Sequence, residues 1–240
     1  MRTLHGLEQS PWTEKARWAL DHHEIAYRYA EHLPVLGEIG LRLKAGKSKV
    51  SVPLLVDEAA TVMGSLEIAR HADANGSGAK LFPEGNDEIG AWVELSDRII
   101  GVGRAKVFEG LRTNRAAQRE ALPPFIPSAL RGLFTPMTVS AAWFLAAKYR
   151  VARDVDAQVA ADLRPALEKV RSALADRKYL AGGAFSFADV AIGASLHALR
   201  PHARSRIGPA TRHVWTQEAL ASEYEDLLDW RDALYEKHRR

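Results

Sequence analysis

The sequence predicts two parts of different class, an α/β part at the N-terminus and an all-α helical bundle after it. Three observations carry this. Short strand-like and helix-like segments alternate over residues 1–73, a Gly-, Asn- and Pro-rich stretch (ANGSGAKLFPEGN) follows at 74–86, and no strand pattern occurs beyond it. We read 1–76 as the first domain, 77–86 as a linker and 87–240 as the second domain. At 240 residues the chain is long enough for two ordinary cores.

In order, Arg2 to Gly6 reads as a short strand ending at a glycine. Pro11 to His23 is a helix, with Trp12, Ala16, Ala19 and Leu20 on one face. Ile25 to Ala30 reads as a strand, and Val35 to Ala45 as a helix. SVPLLVD (Ser51 to Asp57) reads as a buried strand containing a proline, Thr61 to Met63 as its hairpin partner, and Ser65 to Ala72 as a short helix. The predicted order is β-α-β-α-β-β-α. After the linker, Glu88 to Leu111 is amphipathic and 122–136 is a proline-rich loop. A helical stripe runs from Val155 to Leu174 with a bend at Pro165. Ala188 to Leu199 is apolar on nearly every face and should be the central helix; Leu220 to Tyr235 is the last.

Composition narrows the function. The hydrophobic fraction is 47% and the charged fraction 26%, as in ordinary globular chains. Net charge is +3, and the basic residues form no long run interleaved with aromatics, so no nucleic-acid partner is expected. A modest positive potential favours a small anionic ligand. No stretch approaches the ~20 apolar residues of a membrane span, so no membrane partner is expected. MRTLHGLEQ lacks the charged-then-apolar plan of a secretory signal, and a cytoplasmic location is the expectation. With no cysteine, any thiol chemistry must use a thiol brought in from outside.

Three short motifs stand at element ends. In QSPWTEKAR, Ser10 precedes Pro11 at a helix start; proline suits the first helical position and serine the N-cap before it. Val52-Pro53 puts a proline where a buried strand should be, which belongs at a strand start, edge or bulge. A cis bond there would leave the Val52 amide and carbonyl free for a ligand, whereas a trans bond would mark an edge strand. Gly64-Ser65 places a second serine at a second helix start, a position suited to a carboxylate.

At this point the chain resembles the cytosolic glutathione transferase superfamily over nearly its whole length. SPWTEKARWAL resembles the opening motif of serine-type, tau-like members, SVPLLVD the strand with its cis-proline, and GSLEIARHAD the segment that follows. Ser186-Phe187-Ala188-Asp189 resembles the capping box of the family's central helix; a box with Phe185 and Val190 as staple is structural. The resemblance implies a thioredoxin-like domain, a helical bundle and a homodimer. It implies glutathione as co-substrate, no metal, and a small hydrophobic electrophile as second substrate. Ser10 takes the catalytic position, Val52 and Pro53 the backbone contact to the cysteinyl part, and Ser65, with Gly64, the γ-glutamyl carboxylate. Trp12 stands where the family has an aromatic near the electrophile pocket; Phe125, on the proline-rich loop, either lines that pocket or pads the surface. Gly64 departs from the family, which has Glu or Asp there; Glu67, two residues on, should point elsewhere.

Serine has a physical reason. An unperturbed thiol has a pKa of about 8.5, so only roughly 3% is thiolate at neutral pH. Serine holds its own proton too tightly to act as base; it is a donor aimed at a sulfur anion. The implied activity is conjugation of glutathione to electrophiles. The alternatives are a glutathione-dependent lyase, isomerase or peroxidase, or a non-catalytic binding module, which Gly64 favours.

Other signals carry less. His22-His23 lacks a third ligand at metal spacing, Gly101-Val102-Gly103 follows no strand, and His5 and His71 read as packing or solvent residues.

Overall fold

The computed structural model describes residues 2–34, 37–57, 60–123, 125–149, 151 and 154–239. The N-terminal elements are β1 (Thr3–Gly6), α1 (Pro11–His22), β2 (Arg28–Glu31), α2 (Glu38–Ala45), β3 (Leu54–Val56), β4 (Thr61–Met63) and α3 (Ser65–Asn75). The sheet order is β2-β1-β3-β4. β1 and β2 are parallel, and β3 is antiparallel to both β1 and β4. Leu4, Leu54 and Leu55 of the sheet, Trp18 and Leu20 of α1, and Ile68 of α3 are buried.

Local chemistry explains where these elements differ from expectation. The second strand begins at Arg28, not Ile25, because Ile25 helps close α1. Its N–H bonds the Leu20 carbonyl at 2.9 Å and that of Glu24 bonds Asp21 at 3.1 Å, with Glu24 at φ 57°. This is a Schellman closure without the usual glycine, sealed by the buried pair Leu20 and Ile25. β3 begins at Leu54 rather than Ser51, since Pro53 has no N–H for the ladder. α2 begins at Glu38; Val35 and Leu36, expected within it, lie outside the described residues.

Among the described residues the remainder forms no strand. α4 (Glu88–Thr113) leads to α5 (Arg115–Glu120), whose N-cap Asn114 accepts the Ala117 N–H at 3.0 Å. The stretch expected as a loop at 122–136 is partly helical: a single 3₁₀ turn at Ser128–Leu130 runs into α6 (Arg131–Lys148). Pro136 sits inside α6, and the Thr135 hydroxyl donates to the Gly132 carbonyl at 3.1 Å, the acceptor Pro136 cannot serve. The bend expected at Pro165 is a π-helical turn, Val159–Leu163, between α7 (Val155–Gln158) and α8 (Arg164–Leu174). α9 (Phe187–Ser195) is buried along its whole length, as its composition requires. α10 (Pro209–Trp215) and α11 (Glu218–Glu223) follow. The last helix, α12 (Glu225–His238), is separated from α11 at Tyr224 rather than continuous from Leu220.

Half of the expected capping box forms, with Asp189 reaching back to the Ser186 N–H. The Asp189 carboxylate accepts the Ser186 N–H at 2.9 Å, its hydroxyl at 3.0 Å and the Leu180 N–H at 2.8 Å. The serine hydroxyl therefore donates to Asp189 instead of capping its amide. Burial raises the Asp189 pKa, and these bonds oppose that rise.

Contacts group the chain into two compact units. The first comprises Met1–Ser96, Ala173–Ser195 and Trp230–Arg240; the second comprises Asp97–Ser172 and Leu196–Asp229. Within the first, the Trp18 ring lies 4.4 Å from that of Tyr235, and its N–H donates to the His238 carbonyl at 3.2 Å. Arg239 pairs with Glu14 at 2.8 Å and with Asp21. Within the second, Glu120 accepts the Ala210 and Thr211 amides at 3.0 and 2.8 Å, closing the start of α10. Gly103 is there for close approach, because a Cβ on it would lie 2.4 Å from that of Ala198.

Candidate functional site

Strand register gathers three separated segments at one end of the sheet. His5 of β1 stands opposite Leu54 of β3, and Leu54 opposite Met63 of β4. β1 runs toward that end, β3 starts from it and β4 finishes at it. The chain leaving β1 carries Ser10, the chain entering β3 carries Val52 and Pro53, and the chain leaving β4 carries Gly64 and Ser65. β2 ends there too, with Gly6 beside Glu31. The end of parallel strands followed by helix starts is where open α/β sheets bind ligands.

Ser10 occupies the N-cap position of α1 in extended conformation (φ −90°, ψ 122°). Its N–H donates to Leu7 at 2.9 Å and its carbonyl accepts the Glu14 N–H at 3.0 Å. Its hydroxyl, however, makes no capping bond, so the capping role expected of that side chain is not the one it performs. Thr13 does the local fastening instead: its hydroxyl accepts the Leu7 N–H at 3.1 Å. Thr13 packs so closely that a Cβ on Gly6 would lie 2.4 Å from its methyl group. The strand thus ends in glycine because α1 starts against it.

The Val52–Pro53 peptide is cis. The Pro53 carbonyl accepts the Gly64 N–H at 2.9 Å, tying the second segment to the third. Among the described residues the Val52 amide and carbonyl take part in no backbone hydrogen bond. Gly64 is the N-cap of α3, at φ 94° and ψ 145°, a conformation that L residues rarely adopt. Ser65 is therefore the first helical residue rather than the cap, and it is buried. The first internal bond of α3 runs from the Ile68 N–H to the Gly64 carbonyl at 3.0 Å, which leaves the Ser65 and Leu66 amides at the helix tip as donors. Glu67 is exposed and pairs with Arg70 at 3.2 Å, directed along the helix and not back toward residue 64. Trp12 lies in the first turn of α1, half-buried. Phe125 belongs to the second unit, on the loop before α6, and is 67% exposed.

The structure adds residues that the sequence reading missed. At the same sheet end Glu31 accepts the Glu8 N–H and the Tyr29 hydroxyl, and burial raises its pKa. Glu8 in turn holds Arg17 at 2.8 Å. His5, read from the sequence as a packing or solvent residue, is buried, and that burial together with nearby Lys44 and His32 lowers its pKa. Lys15 is fully buried and donates to Ser96 at 2.6 Å. The i, i+4, i+7 spacing of Pro11, Lys15 and Trp18, all buried, was the available signal for it.

Among the described residues this end of the sheet offers polar groups left out of the caps and ladders: a hydroxyl at one helix tip, an amide donor and a carbonyl acceptor at a strand entrance, and amide donors at a second helix tip. Such a set suits an extended, peptide-like ligand bearing an anionic group. Among the described residues no cluster of three or more His, Asp or Glu side chains is placed to hold a metal.

Comparison with known proteins bears on the fold. Residues 4–80 match the family described as Glutathione S-transferase, N-terminal domain. No curated protein matches the sequence. Among solved structures, a glutathione S-transferase from Methylobacillus flagellatus with glutathione bound is similar at 17% identity and TM-score 0.58, over 100% of this chain and 96% of that one. The β-etherase LigF from Sphingobium sp. strain SYK-6 is similar at 14% identity and TM-score 0.59, over 98% and 94%. Rice GST1, in complex with glutathione, is similar at 16% identity and TM-score 0.56, over 100% and 92%. Residues 4–80 thus match the N-terminal domain model of that family, and the chain as a whole shares the fold of glutathione S-transferases of known structure.

Proposed function

We propose that the protein is a glutathione transferase that joins the glutathione sulfur to small hydrophobic electrophiles. The observation that carries this is the uncommitted Ser10 hydroxyl at the tip of α1, at the same sheet end as the Val52 backbone and the tip of α3. In this reading Val52, held next to cis-Pro53, pairs with the cysteinyl backbone. Ser65 and the α3 amides hold the γ-glutamyl carboxylate, and Ser10 donates to the thiolate. Two glutathione-bound structures among the similar folds support it.

The magnitudes suffice. Lowering a thiol pKa by two units needs about 2.7 kcal/mol. A hydrogen bond to a charged group contributes about 1.5–3 kcal/mol, and a helix N-terminus about 0.3–1 kcal/mol. With most of the bound thiol ionised, the sulfur attacks an electrophilic carbon and the leaving group departs, with no base required at that step. Trp12 is the proposed apolar contact for the electrophile. A homodimer, a cytoplasmic setting and the domain limits 1–76 and 87–240 belong to the same proposal.

Titrating glutathione into the protein near neutral pH while recording thiolate absorbance tests this directly. Saturable growth of the thiolate band is expected. Saturable binding without that band points to the non-catalytic module, and no binding at millimolar concentration removes glutathione from the reading. The likeness to a β-etherase favours a second reading, glutathione-dependent cleavage, in which the same thiolate displaces an ether oxygen.

A further inference from the structure

Helix α6 is the most unusual surface of the molecule. Its outward stripe, at alternating spacings of four and three, is Leu133, Met137, Ser140, Phe144 and Ala147, all exposed. Leu133 is 76% and Phe144 56% exposed. The only charges on the helix are Arg131 at its start and Lys148 at its end. A helix apolar on every face is ordinarily covered. Trp143 and Phe125 extend the patch, and most of the exposed large apolar side chains among the described residues fall within 125–149.

Charge narrows the choice of what covers it. Over 111–149 the chain carries five basic side chains, Arg112, Arg115, Arg119, Arg131 and Lys148, and one carboxylate, Glu120. Glu120 is already engaged by the Ala210 and Thr211 amides. Arg112 lies over the Trp143 ring at 4.4 Å, so a cation flanks the patch as well as capping its ends. Pairing α6 with the α6 of a second copy would set one basic group of five against another, so the proposed homodimer is not expected to use this face. The other exposed large apolar side chains among the described residues, Ile39 and Leu43 on α2, sit beside Arg42 and Lys44. An apolar ridge with Trp and Phe, on a helix charged only by the Arg and Lys at its ends and within a stretch of excess basic charge, suits an apolar layer with a negatively charged surface, as an anionic bilayer offers.

We propose that α6 docks this protein onto the surface of membranes rich in anionic lipid. It lies in the interface and does not cross it, since no helix among the described residues is long and apolar enough to span. Leu133, Met137 and Phe144 enter the acyl boundary while the flanking basic groups face the lipid phosphates.

The full-length protein is to be sedimented with vesicles of mixed phosphatidylcholine and phosphatidylserine, and with vesicles of phosphatidylcholine alone. Binding to the mixed vesicles only, released by high salt, is expected. Leu133→Ser combined with Phe144→Ser should weaken it at least ~tenfold, and Arg115→Glu combined with Lys148→Glu should abolish the preference for anionic lipid. Glutathione titration of the same variants should match wild type, which separates this proposal from the catalytic one. Absence of binding to either vesicle overturns the proposal. So does a solution dimer that the Leu133/Phe144 variant splits, because the face is then covered by a second copy. Unaltered vesicle binding by both variants also overturns it.

Discussion

At Ser10 the backbone performs the capping geometry while the hydroxyl stays out of it. This separates two effects that are usually entangled. Ser10→Ala should lower conjugation turnover at least about tenfold, the loss of one donor to a developing charge. It should change unfolding free energy by less than about 0.5 kcal/mol, because no cap bond is lost. A large stability loss with unaltered turnover would make Ser10 a structural residue. Gly64 shows the opposite balance. Nothing lies within 4 Å of a Cβ built there, yet its φ of 94° strains any L residue. Gly64→Ala should therefore destabilise the protein by about 1–2 kcal/mol in denaturant titration. Ser65→Ala, one residue on, should raise KM for glutathione by about tenfold with little effect on kcat, since it removes a contact remote from the sulfur.

Among the elements, α12 bears a built-in pH response. His238 stacks flat on Phe185 at 3.9 Å and meets the Tyr179 hydroxyl at 3.0 Å. Burial, then Lys237, His22 and Lys178, lowers its pKa from 6.5 to about 4. Its folded form thus binds a proton later than the unfolded chain does. The stability it contributes is fully present above about pH 6.5 and is lost as pH falls toward 4. Melting temperature should decline across that window, and His238→Phe, which keeps the stack without a titrating group, should flatten the decline. An identical slope in the variant would assign the effect to other groups.

For the whole molecule, the first compact unit is discontinuous in sequence. α1 buries Trp18 against Tyr235, and Arg239 binds two carboxylates of α1, so the C-terminal end of the chain completes the core of the N-terminal elements. A fragment ending at residue 86 keeps the sheet but exposes that side of α1. It should lack a cooperative melting transition and a defined near-ultraviolet dichroism signal, whereas the full chain should show both.

Periodicity and punctuation made much of this architecture legible. Element order, the buried α9 and the hairpin of β3 with β4 all follow from apolar spacing and from where glycine and proline fall, because those signals are local. The motifs around Ser10, Val52 and Ser65 were legible for the same reason, as chemistry at element ends. Other features depended on neighbours distant in the chain. The Schellman closure at Glu24 lacks its usual glycine, α6 runs through Pro136, and Ser65 yields the cap to Gly64. The sequence by itself determined the order of the N-terminal strands and helices, the buried central helix, and which polar residues stand at element ends. Only the tertiary structure decided that three of those element ends share one edge, because strand register, not spacing along the chain, sets which ends meet. It alone also decided that the apolar face of α6 is left uncovered, since a hydrophobic pattern records which residues avoid water and not what shields them.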